Sequence, residues 1–159
     1  MPRKYDNTQV RLYDEEILKL GISLYEKGKT PLELFYYLLS ARRLNSFSII
    51  VLEAEMENLG QFLKKHKRKT DLLYELDDRR EICVLFCQET QVDGGIYFLK
   101  RLAKAMHSET PTIDIRSCVL GVEGTNYPVR NLLFIVLDCF VKVHSAENEE
   151  DKILWKTVK

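Results

Sequence analysis

The spacing of apolar positions changes character once along the chain, near residue 46. Before it the period is helical. "YDEEILKLGISLYEKG" spaces Ile17, Leu18, Leu20, Leu24 and Tyr25 at helical intervals, with Asp14 as candidate cap and Gly28 as candidate stop. Thr30-Pro31 then opens a second predicted helix, "TPLELFYYLLSARRL". It has proline at its first position, Glu33 in its first turn, and Arg42 and Arg43 in its last, the charge order that a helix dipole favours. Its apolar residues run nearly all round, so it is expected to be buried in its own domain or against a partner.

From Phe47 onward, short apolar runs alternate with amphipathic stretches. "FSIIVLEAE" predicts a core strand, "MENLGQFLKKHKR" a short helix, and "DLLYEL" and "EICVLFC" two strands joined by the charged "DDRR" as a hairpin. "TQVDGGIYFLKRLAKAMHS" predicts a helix with Thr90 as cap candidate and an awkward Gly94-Gly95 in its first turns. "TIDIRSCVLGV" is a strand, "PVRNLLFIVLDCFVKVHS" a helix opened by Pro128, and "KILWKTV" a last strand that carries Trp155 as core. The hairpin requires mixed strand direction, so the fold class is α+β or α/β, a mixed central sheet with helices packed on it, preceded by two N-terminal helices. Two parts follow: a helical segment over residues 1–45 suited to dimerisation or docking, and a sheet domain over 46–159.

Composition narrows the function classes. With 159 residues, 45% hydrophobic and 30% charged, the chain can bury a core of ordinary size. The 24 basic and 24 acidic residues cancel, so no global field draws in a nucleic acid polymer or an anionic membrane, and an anion site must come from local clustering such as "KKHKRK" at Lys64 to Lys69. The longest apolar stretch is interrupted by Asp138 and Lys142, and the first ten residues are polar. A cytoplasmic protein without membrane insertion is expected. Cys83, Cys87, Cys118 and Cys139 lie in apolar runs without C-x-x-C spacing, as buried structural thiols do. His66, His107 and His144 are scattered near predicted helix ends, so no metal site is expected.

One spacing stands out. Arg68-Lys69-Thr70-Asp71 is an R-x-x-D, followed by the five residues "LLYEL" and then by "DDRRE", which leads into "ICVLF". R-x-x-D also occurs at Arg3 to Asp6 and at Arg11 to Asp14, so only its position before the hairpin gives it weight. That order, over roughly Phe47 to Val158, resembles the GGDEF family, the diguanylate cyclase fold related to nucleotide cyclases. In that family an R-x-x-D inhibition site lies five residues before the signature at the hairpin tip, and "LFCQETQVDGGIYFLKRLAKAM" is similar to the strand, turn and helix that follow it.

The resemblance implies a degenerate member. Asp77, Asp78, Arg79, Arg80 and Glu81 stand where the signature would be. Both glycines that let backbone approach phosphates are absent, and Arg79 replaces a metal-binding acid. Glu53 and Glu55 keep acids at the end of the first strand. The segment after that strand is short, and Gln61 and Phe62 occupy the positions that read guanine in the family. The enzyme is therefore expected to be inactive, with no metal or cofactor. What the resemblance leaves is a binding site for cyclic di-GMP made of Arg68, Asp71 and, on the following helix, Arg101. The arginines suit phosphate or the guanine O6/N7 edge, and the carboxylate suits guanine N–H donors. The second reading, from a different class, is an interaction scaffold that has lost nucleotide binding and uses its N-terminal helices for a protein partner or a homodimer. An active cyclase stands third.

Overall fold

A computed structural model describes the backbone of residues 7–159 and the side chains of residues 15–159. The elements, in chain order, are α1 (Asn7–Ser40), β1 (Phe47–Ala54), α2 (Leu59–His66), β2 (Leu72–Glu75), β3 (Ile82–Gln88), α3 (Val92–Glu109), β4 (Ile115–Val122), α4 (Val129–His144), a 3-10 turn (Glu149–Asp151) and β5 (Ile153–Val158). The R-x-x-D at Arg3 to Asp6 lies outside the described residues.

The five strands form one sheet in the order β2-β3-β1-β4-β5. β1 runs antiparallel to both neighbours, with Phe47 opposite Gln88 and Val122. β2 and β3 form the predicted antiparallel hairpin, and β5 lies parallel to β4. The fold is thus α+β with a mixed five-stranded sheet, and β1 to β4 with α2 and α3 make a split βαβ connection. Strand alternation divides the core in two. Phe47, Ile49 and Val51 of β1 face α1 and α4, together with Phe86, Leu120 and Phe140. Ile50 and Leu52 face α2 and α3, together with Leu59, Leu85, Leu99 and Met106.

The N-terminal region departs from the two-helix expectation. α1 is one continuous helix of 34 residues with Pro31 inside it. Proline removes one intrahelical bond and crowds the preceding turn, at a cost of about 3 kcal/mol. Burial offsets it: Leu24, Leu32 and Phe35 lie at 1%, 0% and 0% exposure in the core shared with β1, β3 and α4, so both sides of the proline are pinned to one surface. Asp14 sits inside the helix rather than at its start. Gly28 is no stop either; a Cβ there would lie 3.0 Å from Phe86 Cζ and 3.2 Å from Leu133 Cδ2. The glycine serves close helix packing, a role that reads in sequence like a terminator.

Two smaller expectations also change. Trp155 is 58% exposed instead of core, because β5 is the sheet edge. Thr90 makes no cap bond to α3; Gln91 occupies the N-cap position without a side-chain bond. Cys83, Cys87 and Cys118 are buried and Cys139 half-buried, all as free thiols. Among the described residues, no helix is long and apolar enough to cross a membrane.

Candidate functional site

The turn between α2 and β2 brings Arg68 and Asp71 to the end of β3 and the start of α3. Asp71 is 3% exposed. Its carboxylate accepts Arg68 Nε at 3.2 Å and Nη2 at 3.0 Å through Oδ1, and the Arg68 backbone N–H at 3.0 Å through Oδ2. Arg68 Nη2 also donates to the Gln88 carbonyl at 2.7 Å and to Thr90 Oγ1 at 2.6 Å. One guanidinium therefore ties the start of β2 to the end of β3 and to the β3–α3 turn. The Asp71 hydrogen bonds raise the Arg68 pKa still further, so its charge is permanent. Beneath Asp71, burial pushes the Cys87 thiol up, and the adjacent carboxylate adds to the shift.

Arg101 comes from the other side, on α3. Its guanidinium sits 5.6 Å from the ring centroids of both Tyr97 and Phe98, a cation–π arrangement that steadies an exposed side chain. Arg68, Asp71 and Arg101 line one cleft of about 550 Å³, walled by Thr90, Gly94 and Phe98. Gly95 sets its depth: a Cβ there would meet Val119 Cγ1 at 2.8 Å, so only glycine lets the first turn of α3 lie this close to the sheet. This is the reason for Gly95, the buried member of the glycine pair that looked out of place in a helix.

Residues without a local sequence signal complete the wall. Glu89 adopts φ 47° and accepts the Asn45 backbone N–H and Nδ2, both at 3.1 Å, which locks the α1–β1 connection to the β3–α3 turn. Gln88 and Thr90 hold Arg68 from 20 and 22 residues away. Lys64, Lys65, Lys67 and Lys69 follow α2 or lie at its end, and Lys67 Nζ donates to the Arg68 carbonyl at 3.2 Å.

Asp77, Asp78, Arg79, Arg80 and Glu81 lie at the opposite end of the hairpin. Asp77 Oδ1 accepts the backbone N–H groups of Glu81 at 3.0 Å and Ile82 at 2.8 Å, closing the turn from within. Arg80 takes φ 59° and pairs with Glu75 at 3.5 Å. Asp77, Asp78, Arg79 and Glu81 border a second cleft of about 510 Å³ against α1 and α4. Glu53 reaches that cleft from β1 and holds His144 Nδ1 at 2.8 Å. Nothing local in the sequence pairs those two residues, which are 91 apart. Among the described residues, no group of three or more metal-ligating side chains converges.

The chain matches no family model and no curated protein.

Proposed function

We propose that the chain is a non-catalytic receptor for cyclic di-GMP, its ligand seated in the cleft between the α2–β2 turn and α3. The observation that carries this reading is the convergence of Arg68 and Arg101, 33 residues apart, on one cleft of about 550 Å³, within the size range of small-molecule sites. Arg68 uses Nε and Nη2 on its own chain and has Nη1 for phosphate or the guanine edge. Arg101 offers a charged plane against which a base can stack. Asp71 is a positioning residue in this reading: it is buried and turned toward Arg68, so it sets the guanidinium plane and leaves direct contact to the arginines.

The reading has no catalysis. Arg79 faces the second cleft where an acid would hold metal, Asp77 is engaged by its own turn, and Glu53 by His144. Occupancy is passed from the cleft through Asn45 and α1 to a protein partner. The protein then works in the cytoplasm, where the nucleotide is made.

Titration calorimetry with cyclic di-GMP, with GTP as control ligand, tests the proposal. Arg101→Ala is the discriminating variant, because Arg101 is exposed and its removal leaves no buried group unpaired. Binding by the wild type, weakened about tenfold or more in Arg101→Ala as loss of a charged hydrogen bond requires and absent for GTP, supports it. Absence of wild-type binding overturns it.

A further inference from the structure

α1 carries two apolar stripes, and the domain covers only one. Leu18, Ile22 and Tyr25 form the other, at 64%, 50% and 45% exposure. Their steps of four and three residues are those of a helix–helix seam. The charges beside this seam form a reversed pattern. Glu15 and Lys19 precede Ile22, Glu26 and Lys29 follow it, and all four are exposed. Among the described residues none of the four forms an ion pair; Lys29 lies over the Tyr25 ring at 5.7 Å.

We infer that a second copy of this chain docks on α1 in antiparallel orientation, along the seam Leu18, Ile22 and Tyr25. Running the two helices in opposite directions sets Ile22 against the second copy's Tyr25, twice by symmetry. The same register puts Lys19 opposite the second copy's Glu26, again twice. Lys29 then lays its aliphatic stem over the second copy's Leu18 and carries its ammonium toward Glu15. A parallel pair lacks this complementarity. There the positions flanking the seam would be Lys19 and Glu26 on one helix and Gly21 and Gly28 on the other, and the glycines offer no charge. Gly21 and Gly28 are already committed to packing on Leu137 and Leu133 of α4, and Lys19, Ile22 and Glu26 form the rim of the second cleft on the other flank, so the seam is exposed between the two. With so few anchors the pair is weak and salt-sensitive, and it is independent of ligand in the cleft.

Sedimentation equilibrium of the whole chain without ligand tests this. A concentration-dependent dimer is expected, weakened about tenfold or more by Ile22→Glu as for a central apolar anchor, with the circular dichroism spectrum unchanged and the melting temperature unchanged at concentrations where the wild type is monomeric. Lys19→Glu should weaken the dimer, and Lys19→Glu combined with Glu26→Lys should restore it. Disulfide trapping adds orientation: chains with Ile22→Cys should cross-link to chains with Tyr25→Cys. A chain that stays monomeric across the accessible concentration range overturns the inference. So does a dimer indifferent to Ile22→Glu, or a charge reversal that the second reversal does not rescue.

Discussion

Asp71 and Arg68 form a one-sided ion pair: the carboxylate is 3% exposed, while the guanidinium side chain is 50% exposed. The two partners therefore differ in what their loss leaves behind. Arg68→Ala leaves the buried carboxylate with only the backbone N–H of residue 68, while the Thr90 hydroxyl still donates to the Gln88 carbonyl, and the variant should destabilise the fold by about 3 kcal/mol. Adding Asp71→Asn removes the stranded charge and should recover part of that loss. Urea denaturation of the single and double variants measures both steps. Equal stability of Arg68→Ala and wild type would show that the clasp contributes nothing. The same experiment guards the binding test, since a ligand lost in Arg68→Ala alone could reflect a collapsed cleft.

Glu53 and His144 give the fold a pH dependence of known sign. The hydrogen bond that His144 Nδ1–H donates to Glu53 raises the His144 pKa above its ordinary value near 6.5, against opposing effects of burial and of the nearby Arg116 charge. The folded state thus binds the imidazole proton more tightly than the unfolded state. The resulting stabilisation is fully present below the unfolded pKa and is lost as pH rises through the raised folded value. Melting temperature should fall as pH rises above about 6.5 and through the raised folded value, and by less in Glu53→Gln. A proton NMR titration of the His144 ring should show its pKa moving back toward the ordinary value in that variant. An unchanged His144 titration would contradict the assignment of cause.

The parts of this fold that were legible in sequence are those where one residue's neighbours along the chain decide its environment. The strands around Ile50, Leu85 and Val119 are apolar on both sides because both faces of the sheet are covered, and the turn around Asp77 to Glu81 is charged because it is a tip. α1 was not legible as one helix, since Pro31 and Gly28 carry local signals for a boundary. What overrides them is tertiary: Phe86 and Leu133 lie against the glycine, and Leu32 and Phe35 are buried just beyond the proline. The site divides the same way. Arg68 and Asp71 are three apart and readable as a unit, whereas the cleft also needs Asn45, Glu89 and Thr90, which only the folded chain brings together.

Gly95 should tolerate no side chain. A Cβ would stand 2.8 Å from Val119 Cγ1, on the central part of the sheet, and neither the strand nor the first turn of α3 can shift without opening the core. Gly95→Ala should therefore cost about 1–3 kcal/mol, the range for overpacking a tight interior, although alanine is the better helix former. Gly94→Ala is the matched control. It is exposed, and its Cβ would meet only Thr90 Cγ2, at a tight 3.3 Å that this side chain must relieve by a small shift, so helix propensity of up to about 1 kcal/mol offsets the contact and the variant should be more stable than Gly95→Ala. Denaturant melts of the two variants check the contrast; the opposite order would mean that α3 does not lie this close to β4.

Arg80 holds the left-handed position of the hairpin tip, at φ 59°. A residue with a Cβ is strained there by about 1 kcal/mol, and glycine is not. Against this, Arg80→Gly gives up the 3.5 Å pair with Glu75, in which the arginine side chain is 74% exposed; such a pair contributes under about 1 kcal/mol. The glycine chain also has more freedom to lose on folding. Arg80→Ala separates these effects, because it loses the same ion pair and keeps the strain. Arg80→Gly should be more stable than Arg80→Ala by about 0.5–1 kcal/mol, measured by thermal or urea unfolding at matched pH. If alanine proves as stable as glycine, the tip does not hold a left-handed residue at this position, and the turn that Asp77 closes must have another shape.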